Sequence, residues 1–143
     1  MIFVQSDLII RKKHSLGKQQ RLKSRKIIEQ LFTDGQSFAV FPFRLYYTQL
    51  NGAASWIQAG FGASSKNVKR AVDRNRVKRL MKEAYRVRNA DLQTNLLRKN
   101  LHLAIFIIYT GKEVPGHQFV TGKIELILQR LAKIIDEINP SSA

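Results

Sequence analysis

The chain has no cysteine. That excludes a disulfide framework, a thiolate nucleophile and any cysteine-ligated zinc or iron site, and it fits a reducing, cytoplasmic compartment. No run approaches the roughly 18 uncharged apolar residues that a membrane span requires. The best candidate, LHLAIFIIYT, is strand-sized. The apolar opening MIFVQSDLII is short, has no basic residue before it and carries Asp7, so we expect no secretory signal there. Motifs for chemistry are missing as well. There is no GxGxxG or GxxxxGK[ST] loop, and Gly60-Phe61-Gly62 lacks the third glycine of a dinucleotide site. His14, His102 and His117 share no ligand spacing, and His102, inside an apolar strand, reads as structural. Asp136 and Glu137 are adjacent on a helical pattern and so point apart, which makes a poor metal site. We therefore expect no catalytic side chain and no metal held by the protein.

Acidic residues are scarce: ten Asp and Glu stand against 25 Lys and Arg, a formal charge of +15. An excess of this size points to a polyanionic partner. The cations are also clustered. Residues 11–26 hold eight Lys or Arg and residues 66–88 hold ten, so 18 of the 25 sit in two patches. With 143 residues and 44% hydrophobic content the chain suits one domain. No internal repeat or low-complexity linker divides it.

Ile27, Ile28, Leu31 and Phe32 recur at helical spacing, with Ser24 a candidate N-cap and Gly35 a stop. Phe43, Leu45 and Tyr47 then alternate with Arg44, Tyr46 and Thr48, which predicts a strand held to a sheet edge or a strand start by Pro42. A turn at Asn51-Gly52 and the alternation over Trp56 to Ala63 predict a hairpin. Gly60 and Gly62 leave room for something to approach the backbone. LHLAIFIIYT, apolar in both registers, predicts a central strand buried on both faces. Ile124, Ile127, Leu128, Leu131, Ile134, Ile135 and Ile138 describe a closing helix. The order is α-β-β-β-α-β-α, an α/β fold, with the first strand either around Phe38 to Phe41 or a split of the long edge strand. Residues 1–17 read as a flexible basic extension, 18–138 as the domain and 139–143 as a disordered tail.

The segment AVDRNRVKRLMKEAYR is the most informative. A helix from Asp73 to Arg88, with Asp73 as N-cap, places Val77, Leu80, Met81, Ala84 and Tyr85 on one face. Asn75, Arg79, Lys82 and Arg86 lie opposite, Arg76 and Lys78 on the flanks, and Arg74 at the border of the apolar face. Only Asp73 and Glu83 interrupt the ten cations of residues 66–88. Like charges so spaced destabilise a helix unless an anionic partner compensates. Lys and Arg neutralise phosphate, and Asn offers a donor and an acceptor to bases or sugars. Aromatics on the Phe43 to Tyr47 strand add stacking capacity. Phe43 and Tyr47 read equally as core, whereas Tyr46 shares its face with Arg44, a mixture suited to a single strand. Residues alone leave open a ribosomal or other structural RNA-binding protein without turnover, and a DNA-binding module.

GFGASSKNVKRAVDRNRVKRLMKEAYR resembles the signature of the bacterial ribonuclease P protein component, and RLKSRKIIEQLFTDG resembles that family's first helix. The likeness covers residues 18 to 135. It implies a two-layer α/β sandwich with a left-handed βαβ crossover, related to the second domain of a ribosomal small-subunit protein. It also implies a subunit of an endonuclease that removes the 5′ leader from precursor tRNA, its catalyst an RNA with bound Mg²⁺. The implied partners are ribonuclease P RNA, one protein per RNA, and precursor tRNA, with no membrane, the free protein being a monomer. The surface facing the catalytic RNA would comprise Arg70, Arg74, Asn75, Arg76, Lys78, Arg79, Lys82 and Arg86. The leader cleft would comprise Arg21, Lys23, Ile28, Phe32, Phe43, Arg44, Tyr46, Lys66 and Lys69. Two positions depart from the family: Ile28 replaces a frequent aromatic, and Ser65 a frequent lysine.

Overall fold

The spacing of Ile27, Ile28 and Leu31 turns one apolar stripe inward, and the chain is helical over Arg25–Asp34 (α1). The Ser24 hydroxyl accepts from the Ile27 N–H at 3.4 Å and Gly35 ends the helix, as expected. The structure, a computed structural model, describes residues 21–50 and 57–138. The expectations for residues 1–17, Asn51-Gly52, Trp56 and 139–143 lie outside that range.

Four strands follow the alternating stretches: Gln36–Val40 (β1), Phe43–Gln49 (β2), Ile57–Ala63 (β3) and Leu103–Tyr109 (β4). They form one sheet in the order β1-β2-β4-β3. β2 and β3 are therefore not a hairpin and β2 is not an edge strand, which corrects both expectations; Pro42 stands just before the start of β2, the other placement that the sequence allows. The physical reason is β4. Its run is apolar in both registers and is most stable with strands on both sides, so it inserts between β2, antiparallel to it, and β3, parallel to it. Parallel neighbours need a crossover. Two helices supply it, Ala71–Arg88 (α2) and Ala90–Lys99 (α3), before His117–Glu137 (α4) closes the chain.

α3 was not anticipated. Its buried residues are Leu92 and Leu96, too few to dominate a window, but Asp91 in its first turn, Arg98 and Lys99 in its last, and Asn100 at φ 56° are ordinary helix-end signals. Lys99 then extends its ammonium to the carbonyls of Ile135 (2.9 Å), Asp136 (2.6 Å) and Ile138 (3.0 Å), capping the negative end of α4. α2 also begins earlier than expected. Arg70 rather than Asp73 is its N-cap, because the Asp73 and Arg74 N–H groups both close on the Arg70 carbonyl at 3.1 Å. Asp73 sits in the first turn, where its charge still suits the helix dipole.

The main core lies between one sheet face and α2, α3 and α4. Phe43, Leu45, Ile57, Phe61, Leu103, Ile105 and Ile107 from the sheet meet Val77, Met81, Tyr85, Leu96, Ile124, Ile127 and Leu131. A second, smaller cluster on the opposite face joins Leu22, Leu31 and Ala104, with Ile27, Ile28, Tyr46 and Phe106 packed against it. Thus α1 covers only part of that face. The outer edge of β3 is covered by the chain before α1, where Arg21 bridges Ala59 and the Leu22 N–H donates to the Ala59 carbonyl at 2.9 Å. No helix among the described residues is long and apolar enough to cross a membrane.

Tyr85 packs edge-on against Phe61, and its hydroxyl is buried without a well-formed hydrogen bond. Burial pushes its ionisation far above the ordinary phenol range, with the neighbouring Asn89 side chain opposing. A buried hydroxyl left unsatisfied destabilises by roughly 1–3 kcal/mol, so Tyr85→Phe is expected to leave thermal stability unchanged or to raise it. A lowered melting temperature would show that the hydroxyl is bonded to Asn89.

Candidate nucleic-acid interface

The strand register defines the sheet face that α1 leaves partly open. One row across the sheet is Ser37, Tyr46, Phe106 and Gly60; the next is Ala39, Arg44, Ile108 and Gly62. Phe32, 41% exposed at the end of α1, meets the Tyr46 ring edge-on at 4.8 Å and the Phe106 ring at 5.3 Å. Beside this cluster opens a cleft of about 560 Å³. Arg44, Tyr46, Phe106 and Ile108 line its floor, and Ser64, Ser65, Thr110 and Lys78 lie along its rim. Arg44 keeps its place through a 3.2 Å hydrogen bond to the Ser37 hydroxyl. An apolar floor with cations and hydroxyls at its rim suits a chain of bases joined by phosphates.

The loop from Ser64 to Arg70 leads from this cleft to α2. It is pinned at its start and its middle: the Ser64 N–H donates to the Tyr109 carbonyl at 3.0 Å, and the Asn67 side-chain amide to the Thr110 carbonyl at 2.7 Å. Arg74 reaches back and donates to the carbonyls of Val68 (2.9 Å) and Lys69 (2.8 Å). With its backbone so held, the loop presents Lys66, Lys69 and Arg70 outward. On α2, Asn75, Arg76, Arg79 and Lys82 are exposed, and among the described residues the side chains of Arg76, Arg79 and Lys82 form no ion pair. Arg86 differs. It pairs with Glu83, and that guanidinium holds the Glu83 carboxyl below the usual carboxylate range. Among the described residues no group of three or more His, Asp or Glu stands where it could hold a metal ion.

Both the sequence and the fold have counterparts among known proteins. The family model described as Ribonuclease P matches residues 16–132. The chain belongs to the ribonuclease P protein family. The ribonuclease P protein component of Porphyromonas gingivalis is 33% identical over 129 residues, covering 90% of this chain and 91% of that protein. The fold matches the Staphylococcus aureus RNase P protein (TM-score 0.62, 21% identity, 78% of this chain and 94% of that chain). It also matches the RNase P protein from Thermotoga maritima (TM-score 0.61, 23% identity, 77% and 96%). As a ribonuclease P protein, the chain is the protein component of a ribonucleoprotein that processes the 5′ end of tRNA, which sets aside the DNA-binding and ribosomal alternatives.

The structure of this ribonuclease P protein brings Ile28, Phe32, Arg44 and Tyr46 to one sheet face, with Lys66 and Lys69 on the adjoining loop and exposed Arg21 and Lys23 before α1. It does not bring Phe43 there. Phe43 is 1% exposed on the other face, packed against Tyr109 in the main core, because odd-numbered residues of β2 point toward the helix layer. Lys78, expected on the surface facing the catalytic RNA with Arg76, lines the cleft. Phe106 was not foreseen as a site residue. β4 reads as buried on both faces, yet Phe106 and Ile108 are only half-buried and form the cleft floor. The available signal was Gly60 and Gly62, two positions apart on β3: what approaches them is the Phe106 ring.

Proposed function

We propose that the protein uses two adjoining surfaces in the cytoplasmic maturation of tRNA. The outer face of α2, carrying Arg76, Arg79 and Lys82 with Arg70 and Asn75, docks on ribonuclease P RNA. The cleft bounded by Ile28, Phe32, Arg44 and Tyr46, with Lys66, Lys69, Arg21 and Lys23 around it, takes the single-stranded 5′ leader of precursor tRNA. Bond cleavage belongs to the RNA and the Mg²⁺ that it holds. The observation that carries this reading is the aromatic cluster of Phe32, Tyr46 and Phe106 at a cleft that opens onto the same loop as the cationic helix. Stacking takes hold of unpaired bases without regard to sequence, and phosphate neutralisation supplies affinity. The test is reconstitution with ribonuclease P RNA at low Mg²⁺, comparing precursor tRNA with a full leader and with a leader of one nucleotide. Stimulation larger for the full leader is expected; equal or no stimulation would overturn the leader assignment.

Within this division Arg74 has a structural duty. Losing its two bonds to the loop carbonyls is expected to lower stability by roughly 1–2 kcal/mol in Arg74→Ala. Arg76→Ala, with no such bonds, is expected to leave thermal stability unchanged while weakening RNA binding. Equal melting temperatures for the two variants would return Arg74 to the RNA-facing set.

A further inference from the structure

We propose that Phe106 is a base-stacking residue of the leader cleft, supplied by the central strand. This rests on the assignment of the cleft to single-stranded RNA. Phe106 stands in register between Tyr46 and Gly60, so the floor of the cleft presents two neighbouring aromatic rings from β2 and β4. The ring lies along β3 over its two glycines. A Cβ at Gly60 would stand 2.6 Å from Cδ2 and 2.7 Å from Cε2, and one at Gly62 3.1 Å from Cε1 and 3.3 Å from Cζ. Both edges of the ring thus lie against β3, which only residues without side chains permit. Phe106 packs against the smaller cluster of Leu22, Leu31 and Ala104, yet it stays half-buried and borders the open cleft, with Lys78, Ser64, Ser65 and Thr110 at the rim. A base laid on the ring would have its phosphates within the reach of a lysine and two serine hydroxyls, a ring-and-cation combination suited to single strands.

Ile28 sits beside this floor, partly buried against Leu22, Leu31 and Ala104. It offers apolar contact but no face for stacking. The consequence is positional: the base nearest β3 is held by the sheet and not by α1.

The experiment uses the protein reconstituted with ribonuclease P RNA and precursor tRNA carrying a single abasic nucleotide at each leader position in turn. Phe106→Leu keeps an apolar side chain of similar size, and Phe106→Tyr keeps the ring. With wild-type protein, one abasic position is expected to weaken binding by about 5- to 150-fold, the range for one stacked base. Phe106→Leu should lose about as much with the intact leader and nothing further at that position, and Phe106→Tyr should restore the wild-type profile. An abasic profile unchanged in Phe106→Leu, whatever its melting temperature, would overturn the proposal and leave the leader cleft standing. A wild-type protein indifferent to the leader altogether would overturn the cleft assignment, and Phe106 with it.

Discussion

Replacing Arg76, Arg79 and Lys82 together by Ala is expected to weaken assembly with ribonuclease P RNA and, more diagnostically, to change how that assembly responds to salt. Each phosphate contact releases counterions and contributes about 0.7 to 0.9 to the slope of log affinity against log salt, so three lost contacts should flatten it by about 2 to 3. Between 50 and 200 mM salt the gap between wild type and variant should then narrow by about 20- to 40-fold. Net charge alone predicts otherwise. Ala at Lys112, Lys123 and Lys133, which lie outside α2, removes the same three charges from the +15 total and should leave the slope nearly unchanged. Equal flattening in both triple variants would show that the field of the whole protein, and not the face of α2, governs association. The folded state is not at issue in the α2 variant, since these side chains are exposed and hold no structural partner among the described residues.

α1, α2 and α4 were legible because their signals are local, whereas α3, with only Leu92 and Leu96 buried, was not. The stripe of Val77, Leu80, Met81, Ala84 and Tyr85 gave the inner face of α2 and, by subtraction, its cationic outer face. Strand order was not legible, since pairing depends on partners far apart in the chain. Alternation identified β2 and β3 as strands, but nothing near Asn51-Gly52 reveals that β4, about 50 residues later, comes between them. The site was half legible for a related reason. The parity of β2 puts Arg44 and Tyr46 together whatever the sheet order, and it puts Phe43 with Leu45 and Tyr47, so one Phe misassigned to the cleft could have been excluded by period two alone. Phe106 could not be read in the same way, because every residue of β4 is apolar and both parities look like core. Arg74 shows a further limit. Its position near the helix N-terminus suggests a phosphate ligand, whereas its bonds to Val68 and Lys69 depend on how the preceding loop turns.

The glycine floor of the cleft gives the second large effect. Gly60→Val is expected to lower the melting temperature by roughly 4 to 12 °C, from an overpacking cost of about 1–3 kcal/mol. The added Cβ would stand 2.6 Å from the Phe106 ring, with Leu22 close enough at 3.6 Å to limit escape on the other side. Gly60 lies in a regular strand paired with β4, so valine, a good strand former, brings no backbone penalty that could confuse the reading. The ring must therefore leave the slot, and leader binding should fall along with stability. Separating the two effects requires a second substitution. Adding Phe106→Ala removes the clash, so the double variant should be more stable than the sum of the two single losses implies, with a coupling of roughly 0.5–3 kcal/mol as found for residues in contact. Leader binding should not recover, because the stacking surface is gone. If stability and leader binding returned together, Gly60 would be a determinant of the fold alone, and the cleft would hold its RNA through Phe32 and Tyr46 without the central strand.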